Sequence, residues 1–566
     1  MVNNEIADIF EEIAEILEIK DVEWKPAAYR KAAATIRALP ESLSDIYKRG
    51  SVKELKKLPG IGESFAKKIE EYIKKGKIKT HEKLKKTLPV EIKSLSKVEG
   101  IGPKTIKKLY KKINIHNLKE LEKAAKDKKI RKLEGFGPKT EKNILESIAF
   151  LRKSGDRKRL GYALPIARRL ISNLKQIKEV SKIEVAGSLR RKKETIGDLD
   201  ILITSKKPTK IMDKFTSLEG VSKVIAKGPT KSTVIYNDIE VDLRVLKPAQ
   251  FGSALMYFTG SKEHNVALRK IAIKKGYKLS EYGLFKKQKN LAGKTEASIY
   301  KKLGLQYIPP ELRENRGEIA VAKKGKLPKL VKLKDIKSDL QMHSTWSDGA
   351  NSIEEMAVQA KKLGHQYIAL TDHAGNLKIA NAIQPKEVKK YFKEIDKINE
   401  KVKGITILKG AEVDIKANGK LDFPKKYLKK FDIVLGAIHS GLKKDNTERV
   451  LKAIENEHFH ILAHPTGRLI NRRPAFPLDI EKISKAAEKN DIVLETNASP
   501  ERLDLKDVHI RKALESGVKI SIGTDAHIKD NLGFYDLGVY TARRGWAKKN
   551  DIINTYSLKK LKKMFV

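Results

Sequence analysis

The chain contains no cysteine among its 566 residues, so it can form neither a disulfide framework nor a thiolate metal site. Long hydrophobic runs are missing as well. No apolar stretch reaches the roughly 18 residues that a membrane-spanning helix needs, and the N-terminus has no basic segment followed by an apolar one. These absences predict a soluble protein of the reducing cytoplasm, with no membrane partner.

Acidic residues are scarce relative to basic ones, with 71 Asp and Glu against 120 Lys and Arg, which gives a net charge of +49. Residues 337–566 carry only +12 of this excess, so residues 1–336 carry +37. A basic excess of this kind predicts a polyanionic partner for the first part of the chain. Solvated lysines in a lysine-rich composition are the alternative. At about 150 residues per domain, the length predicts three to four domains.

Three carboxylates are predicted to converge from two strands. Asp198 and Asp200 follow Gly197 in the sequence Gly-Asp-Leu-Asp-Ile-Leu-Ile, and the alternation of a strand projects both from one face. Asp242 lies on the polar face of a second strand, 239–245. Three carboxylates can hold two hard cations, of which Mg²⁺ is the best suited, for phosphoryl transfer. An exposed polar strand face is the alternative.

A glycine turn precedes these strands. Gly187 and Ser188 follow the apolar run 183–186 and come before Arg190 and Arg191. Backbone amides, a hydroxyl and arginines at such a turn can approach a triphosphate, which agrees with the predicted metal site. An ordinary hairpin is the alternative.

Three glycine motifs recur in the first 150 residues, at 58–62, 98–103 and 133–138, and each leads into a lysine-rich helix. The pattern resembles the helix-hairpin-helix, in which two glycines let amides at a helix start approach a phosphate. Such contacts position DNA without reading its sequence. A structural connection remains the alternative for at least one copy. The predicted DNA-binding residues are Gly60, Gly62, Gly100, Gly102, Lys104, Gly135, Gly137 and Lys139.

Nine of the twelve histidines lie beyond residue 336. Several of them, with acidic residues, follow apolar runs that are separated by helical segments. This order predicts a βα series whose functional side chains collect at the C-terminal ends of the strands. A single histidine of this kind is more often structural, but seven loci predict a metal centre. The loci are Gln341 to His343, Asp348, His373, Glu412, His439, His464, and Asp525 to His527.

The block Tyr257-Phe258-Thr259-Gly260-Ser261, followed by Asn265 and Arg269, resembles the family X DNA polymerases of the polymerase beta type. The resemblance implies metal ligation by the three aspartates and triphosphate contacts from the glycine turn. It implies a sugar pocket at the aromatic block, a base contact from Asn265 and a template contact from Arg269. The residues with these implied roles are Asp198, Asp200, Asp242, Gly187, Ser188, Arg191, Gly197, Tyr257, Phe258, Gly260, Asn265 and Arg269.

The same resemblance makes Lys68 the Schiff-base lysine of a 5′-deoxyribose phosphate lyase, with Lys25 and Lys67 as neighbours that lower its pKa. Two positions differ from the family pattern. Ser64 replaces a second lysine, which weakens phosphate binding, and Ile196 replaces a serine, which removes a hydroxyl from the triphosphate pocket.

The histidine-rich part resembles the PHP domain of the polymerase and histidinol phosphatase family, a distorted βα barrel with a trinuclear metal site. The resemblance implies a set of nine ligands, and their imidazole and carboxylate groups favour Mn²⁺ or Zn²⁺. Such centres hydrolyse phosphoesters by lowering the pKa of a bound water. Gln341 replaces the first imidazole of a His-x-His pair. The implied ligands are Gln341, His343, Asp348, His373, Glu412, His439, His464, Asp525 and His527.

Together these features predict an α+β multidomain protein, with helical helix-hairpin-helix domains, an α/β nucleotidyltransferase palm with a thumb, and a PHP barrel. The predicted domains are 1–95 (lyase-like), 96–155 (fingers), 156–255 (palm), 256–316 (thumb), 317–336 (linker) and 337–566 (PHP).

The resemblance implies a bacterial or archaeal type of DNA polymerase that fills short gaps in base excision repair, and the layout of one domain for each task predicts a monomer. Its substrates would be gapped or primed double-stranded DNA and deoxynucleoside triphosphates. The PHP domain would add Mn²⁺-dependent 3′-5′ exonuclease or abasic-site phosphoesterase activity. Two alternatives remain open: an RNA-type or template-free nucleotidyltransferase, and a polymerase whose PHP domain is a structural scaffold.

Overall fold

The computed structural model describes residues 2–39, 42–98, 100–155, 157–377 and 380–565. Four residues at predicted domain edges or in the second glycine motif fall outside the described residues. They are Met1, Glu99, Asp156 and Val566. The chain divides into two compact units. The first comprises residues 1–155, 471–475 and 528–531, and the second comprises the remainder. Among the described helices, each is too short or too polar to cross a bilayer.

The first unit is helical and contains two hydrophobic cores. One core gathers around Phe10 and Ile13, and the other includes apolar residues between 88 and 148. Residues 88–95, predicted to end the first domain, pack into the second core because Leu88, Ile92 and Leu95 are buried there. The helices are α1 (Val2–Ile19), α2 (Lys25–Ala38), α3 (Leu43–Leu55), α4 (Glu63–Lys75), α5 (Lys79–Thr87), α6 (Ile92–Leu95), α7 (Pro103–Ile113), α8 (Leu118–Lys126) and α9 (Pro138–Ser154).

The second unit begins with a five-stranded mixed sheet. This part of the chain contains β1 (Lys158–Arg159), α10 (Leu160–Lys175), β2 (Lys182–Val185), α11 (Gly187–Arg190), β3 (Thr195–Ile196), β4 (Asp198–Thr204), α12 (Pro208–Thr216), β5 (Val221–Lys227), β6 (Lys231–Tyr236) and β7 (Ile239–Leu246). Strands β1 and β3 pair with each other in a separate two-stranded sheet. The sheet order is β2-β4-β7-β6-β5, with β4 and β7 adjacent and parallel. Alternating apolar residues on both strands are buried, so their polar residues share the opposite face.

A helical segment with an antiparallel three-stranded sheet follows. Its elements are α13 (Phe251–Thr259), α14 (Lys262–Lys274), β8 (Lys278–Ser280), β9 (Gly283–Lys286), β10 (Lys289–Ala292), α15 (Glu296–Leu303) and α16 (Glu318–Lys323). The predicted linker, 317–336, is folded onto this segment. Ala322 and Leu330 join its core, and His264 Nδ1 lies 2.6 Å from the buried Glu318. The segment was predicted to be a linker from its lysine, glycine and proline content. That composition does not predict these buried contacts.

The last segment is a barrel of parallel strands. Its elements are β11 (Ser338–Asp339), α17 (Ile353–Lys362), β12 (Tyr367–Leu370), β13 (His373–Ala374), α18 (Val388–Lys401), β14 (Thr406–Asp414), α19 (Lys425–Leu428), β15 (Ile433–Ala437), α20 (Thr447–Ile454), β16 (Ile461–Leu462), α21 (Ile480–Lys489), β17 (Val493–Asn497), α22 (Asp507–Glu515), β18 (Ile520–Gly523), α23 (Tyr535–Arg544) and α24 (Leu558–Met564). The main order is β11-β12-β14-β15-β16-β17-β18, and β13 pairs with β14.

Backbone hydrogen bonds close this barrel just beyond its first and last strands. The amide of Asp525 donates to the carbonyl of Gln341 at 3.0 Å, and that of His343 donates to the carbonyl of Ala526 at 2.8 Å. Parallel strands end at the same side of a barrel, so the segments that follow them meet there. The predicted metal-ligand loci therefore share one end.

Candidate active sites

The three predicted aspartates come together on the mixed sheet. The parallel register places Asp200 directly opposite Asp242, with Asp198 two residues earlier on the same face of β4. Burial raises the pKa of Asp200 to about 7, and the negative charges of Asp198 and Asp242 act in the same direction. A buried carboxylate among like charges favours a bound cation, and all-oxygen ligands suit Mg²⁺. The donor set therefore fits a divalent metal site.

Neighbouring strand β6 fixes the third aspartate. Thr233, directly opposite Asp242, donates its hydroxyl hydrogen to the Asp242 carboxylate, and Lys231 Nζ lies 2.9 Å from the other oxygen. These contacts orient Asp242 toward the shared face. Sequence reasoning missed Thr233 and Lys231, because only the order of strands in the sheet brings them beside Asp242.

The glycine turn lies against the aspartates. Gly187 has a φ of 59°, and a Cβ at this position would lie 2.2 Å from Asp200 Oδ2, so only glycine permits this approach. The buried hydroxyl of Ser188 has no hydrogen-bond partner within the described ranges, which leaves it available to a ligand oxygen. Gly197 immediately precedes β4, beside the same carboxylates.

The two arginines after the turn have different environments. Arg190 makes a two-pronged ion pair with Glu296, at 2.8 and 2.7 Å, and is a structural residue. Arg191 Nε donates to Glu314 Oε1 at 3.0 Å, and its guanidinium also donates to the Thr259 carbonyl. Arg191 thus lies between the glycine turn and the aromatic block, where the sequence predicted a triphosphate contact.

The aromatic block forms the end of α13 and the turn after it. Tyr257 and Phe258 lie in the last turn of the helix, and Gly260 follows with a φ of 71°. On α14, Asn265 and Arg269 are four residues apart and so share a face. Asn265 Nδ2 donates to the Tyr257 carbonyl at 2.6 Å, while its buried oxygen has no partner in the described structure. That oxygen is free to meet a ligand.

Eight of the nine predicted PHP ligands form three overlapping clusters, in each of which the ligand atoms lie within 4.8 Å of one another. The clusters are His343, Asp348, His373 and His527; Glu412, His439 and His464; and His343, Glu412 and Asp525. Three sets of imidazoles and carboxylates match the number of metals that the resemblance implies. The nitrogen and oxygen donors fit Zn²⁺ or Mn²⁺.

The geometry at His343 supports metal binding. Its Nε2 lies 3.3 Å from Glu412 Oε2 and 3.2 Å from Asp525 Oδ1, yet neither ring nitrogen makes a hydrogen bond within the described part of the chain. Fully buried nitrogens without hydrogen bonds are rare unless another ligand satisfies them. His464 and Asp525 also have positive φ values, of 29° and 55°. Strained backbone of this kind clusters at functional sites.

Gln341 is buried beside these clusters. Its Nε2 donates to Glu412 Oε2 at 3.0 Å, and its Oε1 accepts from Asn497 Nδ2 at 3.3 Å. Gln341 thus lies beside the centre, where its amide is engaged in hydrogen bonds with two neighbours.

Two further residues at this centre were missed by sequence reasoning. Asp414 forms a hydrogen bond with His439 Nδ1, a contact that orients a metal-binding imidazole. Its position two residues after Glu412 on β14 was an available signal. Arg502 Nε lies 3.4 Å from Asp525 Oδ2, where a cation could meet a phosphate. One arginine in so basic a chain gives no such signal.

The three glycine motifs share one geometry. The first glycine of each, Gly60, Gly100 and Gly135, has a φ of 73°, 82° and 81°. The second glycine caps the start of a helix: Gly62 for α4, Gly102 for α7 and Gly137 for α9. A Cβ at any of these caps would meet nothing within 4 Å, so the space before each helix start is open. Lys104 and Lys139 are exposed at the second and third motifs.

Lys68 lies on α4, where its Nζ donates to Ser64 Oγ at 2.7 Å. Partial burial lowers the pKa of Lys68, Glu71 opposes this shift, and Lys25 adds to it. Lys67, predicted to act as a second like charge, instead forms an ion pair with Glu63 at 3.2 Å. The predicted effect of Lys67 is wrong, because a helix places it on a different face from Lys68.

Trp24, just before α2, is 88% exposed and was not selected from the sequence. An exposed indole is a stacking surface for an unpaired base. It adjoins Lys25, the residue that lowers the pKa of Lys68.

Five family models match parts of the chain, and two of the matched ranges overlap. Their descriptions are helix-hairpin-helix domain (1–78), SAM-like helix-hairpin-helix tandem (92–149), DNA polymerase beta palm (164–278), DNA polymerase beta thumb (254–314) and PHP domain (339–499). These matches confirm the predicted fold class.

Known proteins match both the whole chain and its last part. The DNA polymerase/3′-5′ exonuclease PolX of Bacillus subtilis is 40% identical over 99% of this chain and 98% of its own. A probable phosphatase of Thermoanaerobacter sp. (strain X514) is 32% identical over 38% of this chain and 89% of its own. A probable phosphatase of Acetivibrio thermocellus is 32% identical over 35% of this chain and 82% of its own.

Proposed function

Since this chain belongs to the family X DNA polymerases that carry a C-terminal PHP domain, as PolX does, we propose that it fills short gaps in DNA during repair. It is a DNA polymerase with a second, phosphoesterase-type domain. The convergence of Asp198, Asp200 and Asp242 carries the proposal for synthesis. We also propose that it works as a monomer on gapped or primed double-stranded DNA in the cytoplasm.

In the polymerase centre, Asp198, Asp200 and Asp242 would hold Mg²⁺. When bound, the metal ions stabilise the charge on the attacking and leaving oxygens. The amides of the glycine turn and the Ser188 hydroxyl, which has no hydrogen-bond partner in the described structure, would bind the triphosphate, with Arg191 beside them. The backbone at Tyr257 and Phe258 would close the sugar pocket near the 2′ position.

An assay on DNA with a one-nucleotide gap tests this proposal. We expect incorporation of a templated deoxynucleotide, and at least about tenfold slower incorporation of the matching ribonucleotide, because a hydroxyl would clash in the sugar pocket. A single-stranded primer without template is the control and should not be extended. Equal use of both sugars, or extension without template, would support the RNA-type or template-free alternative.

In the second centre we propose Mn²⁺- or Zn²⁺-dependent hydrolysis at DNA 3′ ends or abasic sites. The buried imidazole of His343, which lacks hydrogen bonds within the described part, is the observation that supports it. Metal ions held by these residues would lower the pKa of a water and so supply a nucleophile for a phosphoester. Asp414 would orient His439, and Arg502 would meet a phosphate oxygen. The alternative is a structural barrel that holds metal without turnover.

We further propose that Lys68 is the nucleophile of a 5′-deoxyribose phosphate lyase. A depressed lysine pKa increases the neutral amine that attacks an aldehyde, and partial burial with Lys25 gives this direction. We expect borohydride to trap a covalent adduct between the protein and incised abasic DNA. Lys68→Ala should lose the adduct, whereas Lys67→Ala, whose lysine pairs with Glu63, should keep it. An undiminished adduct in Lys68→Ala would exclude this role.

A further inference from the structure

Arg544 is the last residue of helix α23 in the barrel, and its side chain contacts residues of the palm and thumb segments. This side chain is only 5% exposed. Its Nη1 donates to the backbone carbonyl of Arg191 at 2.7 Å and to Glu314 Oε1 at 3.1 Å, and its Nη2 donates to Asp507 Oδ2 at 2.6 Å. A buried guanidinium that satisfies acceptors from separate parts of the chain fixes their relative positions.

The residue that Arg544 contacts is the predicted triphosphate arginine. The same Glu314 oxygen that accepts from Arg544 also accepts from Arg191 Nε, at 3.0 Å. Arg191 is therefore held at two points. Arg544 binds its carbonyl directly, and Glu314, which also accepts from Arg544, binds its side chain. Loss of Arg544 would leave both points less constrained.

Cations outnumber the carboxylates with which they pair around this contact. Lys193 Nζ lies 3.8 Å from Glu314 Oε2, and Arg316 Nη1 lies 3.0 Å from Asp507 Oδ2. With Arg191 and Arg544, four cations thus surround two carboxylates, Glu314 and Asp507. Arg191 is the member of this group that directly follows the helix formed by the glycine turn, so it is the cation placed to meet a triphosphate.

We propose that Arg544 is a positioning residue for nucleotide binding, through which the PHP barrel holds Arg191 in reach of the incoming triphosphate. This inference rests on the proposed function, in which Arg191 contacts the triphosphate. Arg544 itself does not touch the nucleotide. The barrel thereby contributes to DNA synthesis independently of any hydrolysis at its own metal centre.

Arg543 is the matched control for this role. It precedes Arg544 on α23 and also reaches out of the barrel, donating to Glu311 Oε1 at 2.8 Å and to the Val331 carbonyl at 2.7 Å. Both arginines therefore connect the barrel to the segment before it. Only Arg544 contacts Arg191 and Glu314.

The test measures gap filling by the full chain over a range of deoxynucleotide concentrations. We expect Arg544→Met to raise the KM for the nucleotide about tenfold while kcat changes less than about twofold, since a charge-assisted contact to a binding residue is lost. Arg543→Met should leave the KM within about twofold of wild type. Arg544→Lys keeps the charge and serves as a control for misfolding of the Met variant. It should give a KM between those of wild type and Arg544→Met. Melting temperatures report stability separately.

Several outcomes would overturn the inference. An unchanged KM in Arg544→Met, or equal increases in Arg544→Met and Arg543→Met, would mean that the contact only stabilises the fold. An unchanged KM in Arg191→Met would show that the arginine held by Arg544 is not a nucleotide ligand. Failure of the wild type to fill gaps would instead contradict the proposed function, so that assay comes first.

Discussion

At the scale of single residues, Gln341 is the chemical exception in the PHP centre. The eight other predicted ligands offer imidazole or carboxylate atoms, whereas Gln341 offers an amide that already bonds with Glu412 and Asn497. A neutral amide oxygen is a poorer ligand than imidazole for Zn²⁺ or Mn²⁺. One of the three metals is therefore expected to bind weakly and to exchange readily.

Gln341→His should strengthen that weak metal site. We expect the full-length variant to retain more Mn²⁺ or Zn²⁺ than wild type after dialysis against limiting metal, by about one ion per chain, as measured by elemental analysis. Gln366→His is the control, because Gln366 is exposed before β12 and lies outside the clusters. Equal metal content in wild type and Gln341→His would show that position 341 does not bind metal.

Strand alternation was enough to predict which faces Asp198, Asp200 and Asp242 occupy, because the period of a strand is fixed by its geometry. The partners Thr233, Lys231 and Arg502 could not be predicted in this way. Each comes from a strand or loop that is adjacent only in the folded sheet or barrel, and sequence spacing contains no information on that adjacency.

At the scale of elements, the two glycines of each helix-hairpin-helix motif have different roles, one in the turn and one at the helix start. Gly100 needs a positive φ, whereas Gly102 has a φ of −92° that any residue adopts. The backbone therefore does not require glycine at position 102. A side chain at this position would instead occupy the open space before the helix. This spacing of glycines was readable from the sequence, because turn and cap positions depend on local geometry.

Gly102→Ala should weaken DNA binding without unfolding the protein. We expect a loss of about threefold or more in affinity for gapped DNA, since a methyl group would hold a phosphate away from the amides of α7. Fluorescence anisotropy over a series of salt concentrations gives the affinity, which should fall steeply with salt for all sequences. Gly100→Ala is the contrasting variant and should lower the melting temperature. Unchanged affinity in a folded Gly102→Ala would exclude phosphate contact at this motif.

The segment 317–336 shows where prediction of elements failed. Its composition is that of a flexible connection, yet α16 is anchored by the pair of Glu318 and His264 and by the buried Ala322. Further contacts hold the segment, among them the Gln306 amide, which donates to the Ala322 carbonyl, and the buried Val331. A composition average over the whole segment cannot register them.

At the scale of the whole molecule, two metal-dependent chemistries occupy separate scaffolds in the second compact unit. The carboxylates on β4 and β7 are suited to phosphoryl transfer, and the imidazole-rich end of the barrel to phosphoester hydrolysis. The arginines at the end of α23 connect the two scaffolds. Because the ligand sets share no residue, each chemistry should be removable without loss of the other.

The most direct test is extension and 3′ digestion of one labelled primer in gapped DNA, with Mg²⁺ and Mn²⁺ compared, by wild type, Asp200→Asn and His343→Ala. Losing one charge at a two-metal site should cost several kcal/mol, so we expect Asp200→Asn to reduce extension by about a thousandfold or more and to keep digestion. His343→Ala should lose digestion and keep extension. Near-wild-type extension by Asp200→Asn would contradict this account. So would digestion that persists in His343→Ala, or an absence of digestion by wild type under every metal condition.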